Sequence, residues 1–225
     1  MACWSSFSVN RDIDDKVERG EKTSVSKHDC LHWLNGKKPR SVIYICFGSL
    51  TRFNKNQTVE IANALQASDH SFIWVVGKAI KTSNDEEQEL WLPQEFEEKV
   101  KENGRGLVIR GWAPQTLILE HEAIGGFLTH CGWNSILEGV VAGVSVGNEI
   151  WKVWATQDSP NIKTSNDILM AINTVMGNTD ESMDMRKRAK KLGEQAKKSI
   201  EQGNSSYNDI DRLVKDIKMH KNSKQ

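Results

Sequence analysis

The sequence predicts an α/β fold with a doubly wound parallel sheet, and three observations lead there. Short apolar runs rich in β-branched residues recur at 41–47, 71–76, 107–111 and 124–129, the pattern of strands buried on both faces. Stretches with a helical apolar period follow at 56–68 and 134–142, so strands and helices alternate along the chain. Each apolar run also reaches a glycine at its end or within a few residues of it, where the backbone can turn out of the strand.

Composition bounds the reading. The 225 residues suit one large α/β domain with ample chain for a core. Thirty Lys+Arg balance 30 Asp+Glu, and this neutrality argues against a nucleic-acid binder, whose footprint is a basic excess. A mean hydropathy of −0.54 with 38% apolar residues is polar for a globular chain, yet too apolar for general disorder. No apolar run approaches the roughly 20 residues of a membrane span. Residues 1–10 lack a basic start and a continuous apolar segment, so a secretion signal is not expected. Cys3, Cys30, Cys46 and Cys131 are scattered without C-x-x-C spacing, which fits a reduced, cytoplasmic setting. Eight of the sixteen aromatic residues are Trp, and an indole offers a flat face on which planar ligands stack.

Taken in order, residues 1–40 form a charged leading segment, with 10–23 as linker and 29–34 as a short helix. That helix would stop at Asn35-Gly36, and Pro39 blocks its continuation. The main domain is expected over 41–225. Strand 41–47 opens it, and helix 56–68 follows with Val59, Ile61, Ala62 and Leu65 on one side. Strand 71–76 comes next, and the acidic stretch 81–90 reads as a loop. Strands 107–111 and 124–129 and a helix over 134–142 complete the alternation, with 144–150 as a short fifth strand. Helices are expected at 166–176, 182–202 and 209–219.

Ligands of open parallel sheets sit at the carboxyl ends of the strands. Two ends carry suggestive residues: Phe47-Gly48-Ser49, and Thr129-His130-Cys131-Gly132-Trp133-Asn134-Ser135. In the second, a strand runs through glycine into a helix start, where free N–H groups and the helix dipole favour phosphate. Asn134 and Ser135 would also serve as helix caps, so two readings stand at this point. The sequence lacks G-x-G-x-x-G and G-x-x-x-x-G-K-[ST], which removes the main support for a dinucleotide or P-loop reading.

The residues Trp112-Ala113-Pro114-Gln115, Ile118-Leu119, His121, Gly125, Phe127, then Thr129 to Ser135 with Glu138 resemble the signature box of plant UDP-dependent glycosyltransferases. Tyr44-Ile45-Cys46-Phe47-Gly48-Ser49 is similar to the first strand of that family's C-terminal domain. Met185-Arg186-Lys187-Arg188-Ala189 and Gly203-Asn204-Ser205-Ser206 resemble its closing helices. The resemblance runs from about residue 12 to the end. Its overall flavour is similar to members that glycosylate triterpenoids or flavonoids.

This resemblance implies a Rossmann-like domain, the donor-binding half of a two-domain GT-B fold. It implies UDP-sugar as donor substrate, with no cofactor, and a small-molecule acceptor such as a triterpenoid or flavonoid. Trp112 would stack on the uracil, beside Ala113, and Gln115 would read the uracil edge with an amide that both donates and accepts. Glu138 would accept from the ribose hydroxyls. His130, Gly132, Asn134, Ser135 and neighbouring N–H groups would hold the diphosphate, with Ser49 approaching from the first strand. Trp133 would support the sugar through its backbone. The cluster would stabilise charge on the departing UDP. Taken singly, Trp112 also fits a core position, Glu138 a solvated helix face, and His130 a structural histidine.

Two departures from the family pattern bear on activity. The resemblance places the catalytic base, a His helped by an Asp, on the family's N-terminal domain, so no catalytic residue is expected here. The family's box continues past G-V-P through a strand and a W-P turn to an acidic-Gln pair that grips the sugar. Here Gly143-Val144 runs instead into Ser145-Val146-Gly147-Asn148-Glu149-Ile150-Trp151, which resembles later family sequence. A strand–helix unit of a few dozen residues is therefore expected to be missing, and 144–150 would pair in the vacated slot. Gln157-Asp158 has the reverse order and is not taken as the replacement.

Three weaker signals fit blander accounts. His28 and His32 are one helical turn apart, a metal spacing without a second ligand cluster. The basic run 186–191 lies in a helical context and reads as a solvated face. Asn56-Gln57-Thr58 and Asn204-Ser205-Ser206 match the glycosylation sequon.

Overall fold

The computed structural model of the chain describes residues 24–48, 53, 55–76, 92–147 and 162–222. Five parallel strands form one sheet: β1 (Val42–Cys46), β2 (Ser71–Val76), β3 (Gly106–Arg110), β4 (Ile124–Thr129) and β5 (Ser145–Gly147). Their order across the sheet is β3-β2-β1-β4-β5, so the winding reverses between β1 and β4. The eight helices described are α1 (Lys27–Asn35), α2 (Lys55–Ala67), α3 (Gln94–Asn103), α4 (Gln115–Leu119), α5 (Trp133–Ala142), α6 (Ser165–Met176), α7 (Asp180–Ser199) and α8 (Ser205–Asn222).

Strand alternation divides the core in two. Ile43, Ile45, Phe72 and Trp74 face α2, α3 and α6, where Ile61, Leu65, Phe96, Ile168 and Ile172 complete the packing. Val42, Tyr44, Ile73 and Phe127 face the other way, against α1 and α4 through Cys30, Leu34, Ile118 and Leu119. Helix α1 of the leading segment is thus tied to the sheet. The doubly wound parallel sheet expected from the sequence is present, with strands at 71–76 and 124–129 as read.

Two helices escaped the sequence reading. Helix α3 buries just Phe96 and Val100 from its inward face, too few apolar positions to show a period. Its ends do carry signals: Pro93 and two glutamates at the start, Lys101 in the last turn, and Gly104 beyond. Helix α4 is five residues long, shorter than any window in which a period can be counted. Helix α8 begins at Ser205, before the expected 209, and α7 ends at Ser199, before 202. Strand β5 pairs with β4 through Gly126↔Ser145 and Leu128↔Gly147, so the segment after Val144 takes a slot beside β4 as expected. Residues 148–150 and the stretch 81–90 lie outside the described residues.

Helix ends are closed by arginines from neighbouring segments. The Arg105 guanidinium donates to the carbonyls of Leu65 (3.3 Å), Gln66 (3.0 Å) and Ser68 at the end of α2. Arg186 donates to Val175 (3.3 Å) and Gly177 (2.7 Å) at the end of α6. A cation there meets orphan carbonyls and the negative end of the dipole. Arg188 pairs with Asp184 one turn away, so the basic run beginning at Arg186 has a structural use.

Candidate functional site

The winding reverses between β1 and β4, and the carboxyl ends of the strands at such a point are where open parallel sheets hold ligands. Cys46 is paired with Thr129 across the two strands, so the chain leaves both strands side by side, at Gly48 and at His130. The His130 ring lies between two glycines. A Cβ on Gly48 would come 2.6 Å from the ring's Cε1, and one on Gly132 would come 2.4 Å from its Nε2. Neither distance is possible for real atoms, so both positions must be glycine for the imidazole to sit there. Gly48 also has φ +75°, a backbone that glycine adopts without penalty. Thr129 Oγ1 lies 3.4 Å from Nδ1, and burial holds the imidazole's pKa below its ordinary value.

Beyond His130 the chain turns through Cys131, at φ 57°, into α5. Gly132 is the N-cap, with no side-chain hydrogen bond to the helix, and the first turn holds no acidic residue. The capping reading of Asn134 and Ser135 is therefore corrected: both lie inside the helix, which starts at Trp133. Position 132 precedes the helix instead, and the His130 ring crowds any side chain placed there. The ladder of α5 begins with Ile136 N–H donating to Gly132 O at 3.0 Å, so the N–H groups of Trp133, Asn134 and Ser135 precede it. Asn134 is exposed, Ser135 is buried, and Trp133 is 61% exposed.

The segment after β3 reaches the same place. To pass from β3 at the sheet edge to β4 it must cross the ends of β2 and β1. Trp112 is half-buried there and Ala113 is buried, which sets the Trp112 ring apart from the fully buried core. Pro114 has φ −72° and ψ 71°, and Gln115 N–H donates to Ala113 O at 2.7 Å. This is an inverse γ-turn, and the proline ring presets its φ. The turn delivers Gln115 as the first residue of α4. Its Nε2 donates to Glu138 Oε2 at 2.7 Å and lies 3.5 Å from Ser135 Oγ, while its Oε1 accepts from Tyr44 Oη at 3.2 Å.

The structure therefore gathers Gly48, Gln115, His130, Gly132, Ser135 and Glu138 around one strand end, with Trp112, Ala113, Trp133 and Asn134 on the segments that carry them. Ser49 lies outside the described residues. Sequence reading missed Tyr44. A phenol in a strand buried on both faces must find a partner for its hydroxyl, and that was the available signal.

A family profile described as "UDP-glucoronosyl and UDP-glucosyl transferase" matches residues 21–183. The chain belongs to this family. A scopoletin glucosyltransferase of Nicotiana tabacum is 46% identical over 231 residues, covering 92% of this chain and 46% of its own. The crystal structure of Glycyrrhiza uralensis UGT73P12 complexed with glycyrrhetinic acid 3-O-monoglucuronide is similar with a TM-score of 0.83 and 39% identity, over 97% of this chain and 48% of that one. A UGT transferase from Siraitia grosvenorii in complex with UDP gives a TM-score of 0.70 and 30% identity, over 84% and 46%.

The chain spans about half the length of the curated relatives it matches. Its α/β fold with a five-stranded parallel sheet matches the family's GT-B structures over about half of their length. The Nicotiana alignment of 231 positions covers 92% of 225 residues, about 207, so about two dozen positions hold no residue of this chain.

Among the described residues no helix is long and apolar enough to cross a membrane, and no group of three or more potential metal ligands is found. The His28 and His32 rings stack at 6.4 Å.

Proposed function

We propose that this chain binds UDP-sugar at the carboxyl ends of β1 and β4, as the donor half of a glycosyltransferase that moves a sugar, glucose by resemblance, to a hydroxyl of a small plant metabolite with inversion. One observation carries the reading: the unclosed start of α5 lies beside an imidazole whose place depends on two glycines. Backbone N–H groups and the positive end of the helix dipole favour a diphosphate there without any basic field, in keeping with a chain of zero net charge. Asn134 and Ser135 supply further polar groups. The uracil stacks on Trp112, and Gln115 and Glu138, bonded to each other at 2.7 Å, meet the nucleoside edge and the ribose hydroxyls.

In the transfer, the acceptor oxygen bonds to the anomeric carbon as that carbon's bond to the UDP oxygen breaks. The acceptor's proton passes to a base that the resemblance puts on the family's other domain. This chain's contribution is to the leaving group: donors already aimed at the diphosphate stabilise the charge it gains. A triterpenoid or flavonoid is the acceptor class that fits the resemblance. The free cysteines Cys30, Cys46 and Cys131 suit a reducing, cytoplasmic setting.

Calorimetric titration of the 225-residue chain with UDP tests the donor site. Heat saturating below about 1 mM UDP is expected, and absence of heat at that concentration overturns the reading. A second reading, UDP binding without turnover, is favoured by the chain's half-length match to its relatives. Transfer of label from UDP-sugar to flavonoid or triterpenoid acceptors, abolished by His130→Ala, supports the enzyme; binding with no transfer supports the second.

A further inference from the structure

We infer that Tyr44 is a positioning residue for nucleotide recognition: its buried hydroxyl holds the Gln115 amide, and with it the Gln115–Glu138 pair, in the orientation that receives the nucleoside. The inference rests on the donor-site reading and extends it to a residue inside the sheet. Tyr44 is fully buried on the central strand β1, with its ring against Phe127 at 5.1 Å. Its Oη donates to Gln115 Oε1 at 3.2 Å, and Gln115 Nε2 donates to Glu138 Oε2 at 2.7 Å.

Chemistry fixes which end of the amide faces which neighbour. An ionised carboxylate only accepts, so Glu138 demands the amide nitrogen, and the amide oxygen is left facing Tyr44, which must then donate. Cys46, Cys30 and Glu138 are the titratable groups that surround the phenol. Burial and these neighbours push its pKa well above the ordinary value, so it remains a donor wherever the fold persists. With both ends held, the second N–H of the amide faces Ser135 Oγ at 3.5 Å, a long contact that a ligand acceptor can replace, and one lone pair of its oxygen stays open to a ligand. Without the hydroxyl, the side chain is pinned at one end and its plane is free to swing.

The test is a double-mutant cycle on UDP affinity, read by calorimetry, with Tyr44→Phe and Gln115→Ala made singly and together. Tyr44→Phe keeps the ring and should weaken UDP about fivefold, the worth of one ordinary hydrogen bond. In the Gln115→Ala background the same change should have no further effect, because nothing remains to position. Additive losses, or unchanged affinity in Tyr44→Phe, overturn the inference while leaving the donor site standing. A wild-type chain that takes up no UDP overturns both. A second measurement reads folded protein alone. The Gln115 side-chain amide proton signals, assigned by their loss in Gln115→Ala, should move in Tyr44→Phe and stay in place in Phe127→Leu, which loosens the same core without removing the hydroxyl. Signals unmoved in Tyr44→Phe overturn the inference.

Discussion

Helices α5 and α6 begin in opposite ways. At α6, Thr164 Oγ1 accepts from the Asp167 N–H (3.3 Å), and the Asp167 carboxylate accepts from the Thr164 N–H (3.1 Å). This reciprocal box leaves the helix start self-satisfied. The residue before it is also tied down: the buried Gln57 amide donates to Lys163 O at 2.9 Å and accepts from Lys163 N–H at 2.8 Å. At α5 the corresponding position is Gly132, with no side-chain cap and no acid in the first turn. A cap is worth about 1 kcal/mol, so α5 forgoes stability that α6 secures. The difference teaches where to look for a ligand, because the open start is the one at the winding reversal beside His130. Helix α3 also lacks a side-chain cap, but Glu95 and Glu97 in its first turn face the dipole, whereas α5 has neither cap nor acid.

Closing the open start should have the largest effect. Gly132→Asp would set a carboxylate over the N–H groups of α5 and crowd the His130 ring, which already stands 2.4 Å from where the new Cβ would be. Like charges a few ångströms apart at a protein surface repel by about 4 kcal/mol. UDP affinity should therefore fall about a hundredfold or more, while the cap offsets part of the crowding and the domain still melts cooperatively. Calorimetry and a melting curve check this. Binding within about threefold of the wild type would mean that the diphosphate lies elsewhere.

Glu138→Ala sharpens the comparison at the other end of the nucleotide. Loss of the charged acceptor proposed for the ribose should weaken UDP about tenfold. It should also erase the preference for UDP over 2′-deoxy-UDP, since the extra hydroxyl has lost its partner. Parallel titrations with the two nucleotides read the ratio, which should approach unity in the variant.

What could be read from the sequence divides along physical lines. Strands β2 and β4 were legible because buried parallel strands are nearly pure apolar runs, and such a signal is local. Helix α3 was not, since its two buried positions sit among charges that say only that the rest is wet. The site was legible as a set of residues but not as a geometry. Tyr44 and Gln115 are 71 positions apart and meet because the connection from β3 crosses back over β1 to reach β4. Nothing in either segment encodes that crossing; strand order does. The capping reading of Asn134 and Ser135 failed for a similar reason. It weighed side-chain preference, while the space at position 132 is decided by a ring two residues away.

The counterpart of closing α5 is opening α6. Thr164→Ala removes the hydroxyl that accepts the Asp167 N–H, and should cost about 1 kcal/mol of stability with UDP affinity unchanged. Denaturant midpoints and titration separate the two quantities. A loss of UDP affinity here would show that the two helix starts are not independent, and that the contrast drawn between them is too simple.

The smallest effect expected is a pH dependence at His130. Its folded-state pKa lies below the ordinary value because burial disfavours the imidazolium. As pH falls through about 6.5, the unfolded chain therefore takes up a proton on this residue before the folded chain does. Stability should decline from there down to the folded-state pKa and level off below it. His70, also lowered by burial, adds a slope common to the wild type and the variant. The melting temperature of His130→Gln should thus fall less than that of the wild type between pH of about 7.5 and about 5.5. Bound diphosphate favours the imidazolium, so saturating UDP should shrink the difference between the two proteins. If the gap persists with UDP bound, His130 is a buried structural histidine and the diphosphate rests on the α5 backbone alone.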